Sequence, residues 1–244
     1  MTANKKKGIS MKFPKMVLSL SVFMLALPGV AMAQDDDGHG LISVRTTTVK
    51  PGKAMEYREM LAKLSASRKA AGHSGVAVYQ VVRGPASTFY QVTQIDSYSE
   101  FDRPFDSGMG EGDWQRWVGN VTDMIDHSIV TTLRTHDEMA IVPDDASPPG
   151  LVQLRFTEIA PGMYADQHEW LEEKLVPVLR EGGTTSWTVS DVRQGDNVNL
   201  WISARRISSW AEMDGPGPIA HLSDRQRDNL FDDYFERLRS SRVE

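Results

Sequence analysis

Arg45 and Arg155 occupy the same place in two copies of one motif, Leu41-Ile42-Ser43-Val44-Arg45 and Leu151-Val152-Gln153-Leu154-Arg155. Two guanidinium groups at matching positions could hold an anionic ligand, since each presents a rigid fork of donors. They could equally form structural ion pairs with acids of neighbouring strands or helices. His127, after Asp123 and Asp126, is the candidate for moving a proton. That role requires a second group to fix the ring; otherwise His127 is a cation at a helix end, favourable against the dipole. Tyr79, Tyr90, Trp114 and Trp117 form the aromatic set expected near a pocket in the first copy. Trp187, Trp201, Trp210 and Tyr234 are its counterpart in the second. The competing role for all of them is core packing.

Other chemistry finds little support. There is no cysteine, which excludes disulfides, thiolate metal sites and cysteine nucleophiles. Neither a Gly-x-Ser-x-Gly turn nor a phosphate loop appears. The acidic, glycine-rich Asp102–Asp113 loop lacks the ligand spacing of a calcium loop. His168 reads as a helix boundary residue, and His73 and His221 fall in loops. His136-Asp137-Glu138 are consecutive residues whose side chains should point different ways, so the expectation is no metal and no cofactor.

Elements that could position these residues follow from the repeat. Val49-Lys50-Pro51-Gly52 returns as Ile159-Ala160-Pro161-Gly162, and both this pair and the arginine motifs are offset by 110 positions. Ile95 to Pro104 returns as Ile207 to Pro216, offset by 112, so the second copy holds two more residues in between. A period this long marks a duplicated domain, not a solenoid. Leu41–Val49 alternates as a strand. Pro51-Gly52 opens a helix with the stripe Ala54, Tyr57, Leu61, Leu64, which Gly72 ends. Val76–Val82 and Phe89–Ile95 read as strands around Gly84-Pro85. A helix over Trp114–His127 and a strand over Ile129–Arg134 complete the first unit, residues 41–142. The order β-α-β-β-α-β is the split βαβ or ferredoxin-like unit.

Pro143–Gly150 has the composition of a linker. The second unit, 151–244, has a strand at Leu151–Ile159 and a helix at Tyr164–Arg180, in which Pro177 should kink or restart the last turn. Strands at Trp187–Val192 and Leu200–Ile207 and a helix at Asp224–Arg239 follow. Too little chain remains for most of a fourth strand.

Residues 1–33 read as a signal peptide: Lys5, Lys6, Lys7, Lys12 and Lys15, then apolar Met16–Val30, then Ala31-Met32-Ala33 before Gln34. The apolar run ahead of Pro28-Gly29 is too short for a membrane span of roughly 20 residues. Met11 could equally be the start. Gln34–Gly40 reads as a disordered lead-in, His39 and its aspartates included. Loss of five lysines takes the formal charge from −6 to −11. That balance disfavours nucleic acid and anionic membrane as partners. The expected location is periplasmic or secreted.

Two tandem units, each opening strand-Pro-Gly-helix and carrying Ser-Tyr-Ser-Glu-Phe-Asp or Ser-Trp-Ala-Glu-Met-Asp before the second helix, resemble the dimeric α/β-barrel superfamily in duplicated, single-chain form. Secreted bacterial proteins similar to the NIPSNAP and antibiotic-biosynthesis-monooxygenase-like groups share this pattern. The resemblance implies an α+β fold of two ferredoxin-like repeats whose antiparallel sheets pack face to face as an intrachain barrel. It also implies a range of activities, from cofactor-free monooxygenases and isomerases to heme enzymes and plain binders. The heme site does not carry over: neither first strand holds an asparagine, and the family's tryptophan and histidine would fall near Pro104 and Trp114. Three functions stay open: binding of a small apolar or aromatic molecule at Arg45, Tyr79, Tyr90, Trp114, Trp117 and Arg155; a cofactor-free oxygenase or isomerase using His127 or a tyrosine; and a non-catalytic interaction module. Binding requires a cavity of about 300 Å³ or more.

Overall fold

The computed structural model describes residues 40–73, 76–143 and 150–244, the Asp233 side chain excepted. The leader, the lead-in as far as residue 39 and linker residues 144–149 lie outside them. The first unit runs β1 (Leu41–Val49), α1 (Ala54–Ala70), β2 (Ala77–Gln80), β3 (Thr88–Ile95), α2 (Glu111–Met124) and β4 (Ile125–Thr135). The second runs β5 (Leu151–Ile159), α3 (Tyr164–Trp170), a π turn (Leu171–Leu175), α4 (Val176–Glu181), β6 (Thr188–Gln194), β7 (Leu200–Ile207), α5 (Asp224–Phe235) and β8 (Leu238–Val243).

All eight strands join in one antiparallel sheet, in the order β2-β3-β1-β4-β6-β7-β5-β8. Each unit supplies four, and β4 meets β6 at the junction, where Arg134 stands opposite Asp191. The sheet curls so that the two inner faces meet. Tyr90 of β3 stacks on Phe156 of β5 with ring centroids 6.3 Å apart, and its hydroxyl donates to Glu244 at 2.6 Å. The fold is thus the duplicated α/β barrel expected, closed along one edge by backbone pairing and across its interior by side chains. Burial and the Glu244 carboxylate together push the Tyr90 phenol above its ordinary value.

Alternation decides what each strand offers. On β1, Leu41, Ser43, Arg45, Thr47 and Val49 are buried, and the residues between them only partly so. Val49 packs with Tyr57, Leu61 and Trp117, so the odd face lies under α1 and α2. The second unit repeats this: Ile159 packs with Trp170, Leu171 and Tyr234 under α3 to α5. There are therefore two apolar cores, each between one half of the sheet and its own helices.

Registers fix the equivalence of the halves. Leu41 pairs with Ile95 as Leu151 pairs with Ile207, and Val49 with Ile125 as Ile159 with Leu238. Offsets of 110, 112 and 113 follow for the first, third and fourth strands. One extra residue is absorbed in the π turn, whose wider i→i+5 spacing takes an added residue without breaking the helix. The turn ends where Pro177, lacking an N–H, enters the first turn of α4, so the helix restarts as expected. The repeated turn motif also has a structural role. Glu100 accepts the backbone N–H of Asp96 at 2.5 Å, and Glu212 that of Ser208 at 2.8 Å.

Two expectations are corrected. Helix α2 stops at Met124 and β4 starts at Ile125, so His127 sits on a strand opposite Thr48, exposed, and not at a helix end. Its repeat counterpart is Ser240, opposite Glu158. The second unit also has its fourth strand, β8, paired with β5. Leu238–Val243 is almost wholly exposed and lacks an apolar alternation, so its strand character comes from the free edge of β5.

Candidate functional site

Beneath the helices of the second unit lies an apolar cavity of about 300 Å³. Its floor is β5, β6 and β7, which contribute Thr157, Val189, Trp201 and Ser203. Its roof is α3, the π turn, α4 and α5, contributing Gln167, Trp170, Leu171, Leu175, Leu179, Leu230 and Tyr234. Gln153, Arg155, Arg205 and Phe231 belong to the same lining. Arg155 is exposed, and Arg205 is tied to Glu212 at 2.8 Å. Trp170 stacks on Tyr234 at 4.8 Å, and the Tyr234 hydroxyl lies 3.3 Å from that of Thr157.

The first unit has the same architecture, with larger side chains at three facing positions. Trp117 stands where the second unit has Leu230. Its indole is buried, lies flat against Trp114 at 5.1 Å, and donates to the Met60 carbonyl at 2.9 Å. Tyr57 stands where the second unit has Gln167, and its hydroxyl accepts from Gln91 at 3.0 Å. Ser203 replaces that glutamine in the second unit. Three bulky side chains thus become smaller, while Phe89 and Met60 give way to Trp201 and Trp170. The second unit gains aromatic walls and loses what filled the space between them.

This exchange leaves polar atoms without partners. Gln167 Oε1, Trp170 Nε1, Trp201 Nε1 and Thr184 Oγ1 are buried on the cavity lining, and no described protein group bonds to them. Gln167, Trp170 and Trp201 are each no more than 3% exposed. An unmatched buried polar atom costs about 1–3 kcal/mol.

A second polar assembly lies beside Trp201, at the junction of the units. His136 is stacked on that indole, centroids 5.0 Å apart and planes at 9°. Its Nε2 is 2.8 Å from Asp191 Oδ1, and Arg134 Nε donates to the same oxygen at 3.1 Å. Arg134 also donates to the Tyr164 hydroxyl. Burial alone would raise the Asp191 carboxyl, but the His136 hydrogen bond and the Arg134 charge outweigh it and hold the group below the usual carboxylate range. The expectation that His136, Asp137 and Glu138 diverge holds for Asp137, which accepts from Thr135. The short 3-10 turn Asp137–Met139 brings His136 and Glu138 together instead, with Nδ1 3.1 Å from Oε1.

Of the six candidate binding residues read from the sequence, only Arg155 lines the cavity; of the second aromatic set, Trp187, Trp201 and Tyr234 do, and Trp210 does not. Arg45 is buried, 3.3 Å from Ser128 Oγ, with no carboxylate partner among the described residues; burial pushes it below its ordinary value. The ion pair considered for it is absent there. Trp117 and Trp114 belong to the first core, Tyr90 faces the barrel interior, and half-buried Tyr79 pairs with it across β2 and β3. His127 is in the other unit from the cavity. Sequence reasoning missed Gln167, Trp170, Thr184 and Leu230. Their signal was available only by aligning the repeats and comparing volumes at each pair.

No protein-family model matches this chain, and no curated protein is significantly similar to it. Solved structures do match in fold. A candidate monooxygenase from Lactobacillus acidophilus aligns with TM-score 0.53 at 11% identity, over 84% of this chain and 91% of its own. One from Fusobacterium nucleatum aligns with TM-score 0.55 at 13% identity, over 84% and 90%. An anthrone oxidase-like protein aligns with TM-score 0.56 at 12% identity, over 87% and 95%. At these identities the likeness establishes the fold alone, an α+β fold with a curled antiparallel sheet under its helices, and leaves activity to the site itself.

Proposed function

We propose, from the premise of a duplicated α/β barrel with one open half, that this is an exported protein binding a small, largely apolar or aromatic molecule in the second-unit cavity. The observation that carries the reading is a mainly apolar, tryptophan-walled cavity of about 300 Å³ beneath the helices of the second unit. A planar ring system slotted there would pack against the Trp170, Trp187 and Trp201 side chains of its lining. The fold shared with an anthrone oxidase-like protein is compatible with an aromatic occupant.

Among the described residues, no histidine, aspartate or glutamate lines the cavity. A cofactor-free oxygenase or isomerase reaction would therefore rest on Tyr234 as the proton-moving group, which the binding reading does not require. Export rests on the leader pattern ending at Ala33, and protein recovered from the periplasm is expected to begin at Gln34.

The test is native mass spectrometry of the protein taken from its own periplasm. A small adduct that survives gentle ionisation and is lost on denaturation supports the reading. An adduct that persists when Leu230→Trp fills the cavity, or protein that carries none and shows no tryptophan quenching with planar aromatic probes, defeats it.

A further inference from the structure

The segment leaving β4 and the first helix of the second unit bring three metal-ligating side chains to one point. His136 Nδ1 lies 3.1 Å from Glu138 Oε1, and that oxygen lies 3.4 Å from His168 Nε2. The three ligand atoms all fall within 4.8 Å of one another. Donors bound tetrahedrally to zinc at about 2.0–2.2 Å sit roughly 3.3–3.5 Å apart, so the 3.4 Å spacing is already that of a coordinated set and the 3.1 Å one falls just short of it.

The surroundings orient these donors. A carboxylate only accepts, so with the Nε2 proton given to Asp191 a neutral His136 would turn its Nδ1 lone pair toward Glu138. Nδ1 and a carboxylate oxygen at hydrogen-bond distance are then two acceptors, which requires a cation between them, either a proton or a metal. The His136 ring is locked flat on Trp201, and Arg134 balances Asp191. On the other imidazole, His168 Nδ1 lies 3.8 Å from Glu172. His136 thus has a carboxylate hydrogen-bonded on the nitrogen turned away from the common point, an arrangement that fixes ligand histidines around zinc, and Glu172 lies near the corresponding nitrogen of His168. His136 is fully buried, whereas the His168 and Glu138 side chains are 30% and 33% exposed, which leaves an entry path.

We propose that His136, Glu138 and His168 form a site for a divalent transition ion of the zinc class, with its fourth position open to solvent. It shares no residue with the cavity lining and stands independently of the binding reading. Its role follows from its place. His136 and Glu138 belong to the end of the first unit and His168 to the first helix of the second, so the ion pins the two halves together in a chain that has no cysteine to do so.

The test uses metal-free full-length protein titrated with Zn²⁺ by calorimetry and with Co²⁺ by visible absorption. One equivalent per chain is expected, with the intense bands of low-symmetry cobalt. Zinc at a hundred times Kd should raise the unfolding midpoint by about 5–10 °C. Glu138→Gln and His168→Gln change part-exposed side chains and should leave the circular dichroism unchanged, while weakening binding by about 100-fold or more. His39→Gln, which removes the histidine beside the aspartates of the lead-in, should have no effect. The proposal is overturned if wild type binds no stoichiometric ion, if both site variants bind as wild type does, or if binding is lost with His39→Gln.

Discussion

Leu230→Trp tests the reasoning most directly, because it writes into the second unit the residue that fills the first. Leu230 is 8% exposed and faces a void of about 300 Å³. An indole adds six heavy atoms, and Trp117 shows that the fold holds one at the equivalent position. If the void is real, the unliganded variant should gain about 0.5–2 kcal/mol from cavity filling. If it is not, overpacking should cost about 1–3 kcal/mol. The two cases differ in sign, so urea unfolding at constant m separates them. Binding gives the second arm. A ligand at a hundred times Kd stabilises wild type by about 2.7 kcal/mol, or about 5–11 °C in midpoint for a chain of this size, and the variant should lose that shift. A variant that is destabilised by more than 1 kcal/mol, or that keeps the ligand-induced shift, would refute the account of the two halves.

Trp117→Leu is the reciprocal change and should cost about 2–4 kcal/mol, from the lost indole packing and its bond to the Met60 carbonyl, read as a lower urea midpoint. Asp191→Ala strands Arg134 and His136 at the junction of the units and should cost about 3–5 kcal/mol; an effect below 1 kcal/mol would show that the network is solvated. Glu212 is held below the usual carboxylate range chiefly by the Ser208 backbone N–H and then by Arg205. A depressed folded pKa adds stability that is complete above the ordinary value near 4.3 and is lost as pH falls through the folded value. Glu212→Gln should therefore be less stable than wild type at pH 7, by under about 1 kcal/mol for so exposed a group, and converge with it as pH falls through the depressed folded value. A gap that widens on acidification would reverse the assignment.

The fold was legible because its signals are local. β-Branched alternation gave β1 and β5, and Pro-Gly marked the start of α1 and α3. The duplicated turn motif gave the register between the halves. What failed had its cause outside the segment. Leu238–Val243 has no strand pattern of its own and is held by the edge of β5. Ile125-Asp126-His127 continues a helical reading with no glycine or proline to stop it, and pairing with β1 makes it strand. The site was legible in kind but not in place. The aromatic residues were visible as a set, yet which of them pack and which line a void depends on volumes compared across repeats offset by 110 to 113 positions. The two arginines matched in position but not in fate, since Arg45 is sealed under α1 and Arg155 remains exposed.

Fusing both halves of the barrel into one polypeptide has a consequence beyond economy of genes. In a barrel assembled from two identical chains, twofold symmetry imposes every substitution twice, so a residue that seals one pouch seals its mate. Covalent linkage lifts that constraint. One half is free to become ballast, solid and stabilising, while the other relinquishes packing for vacancy, and neither choice is copied onto its twin.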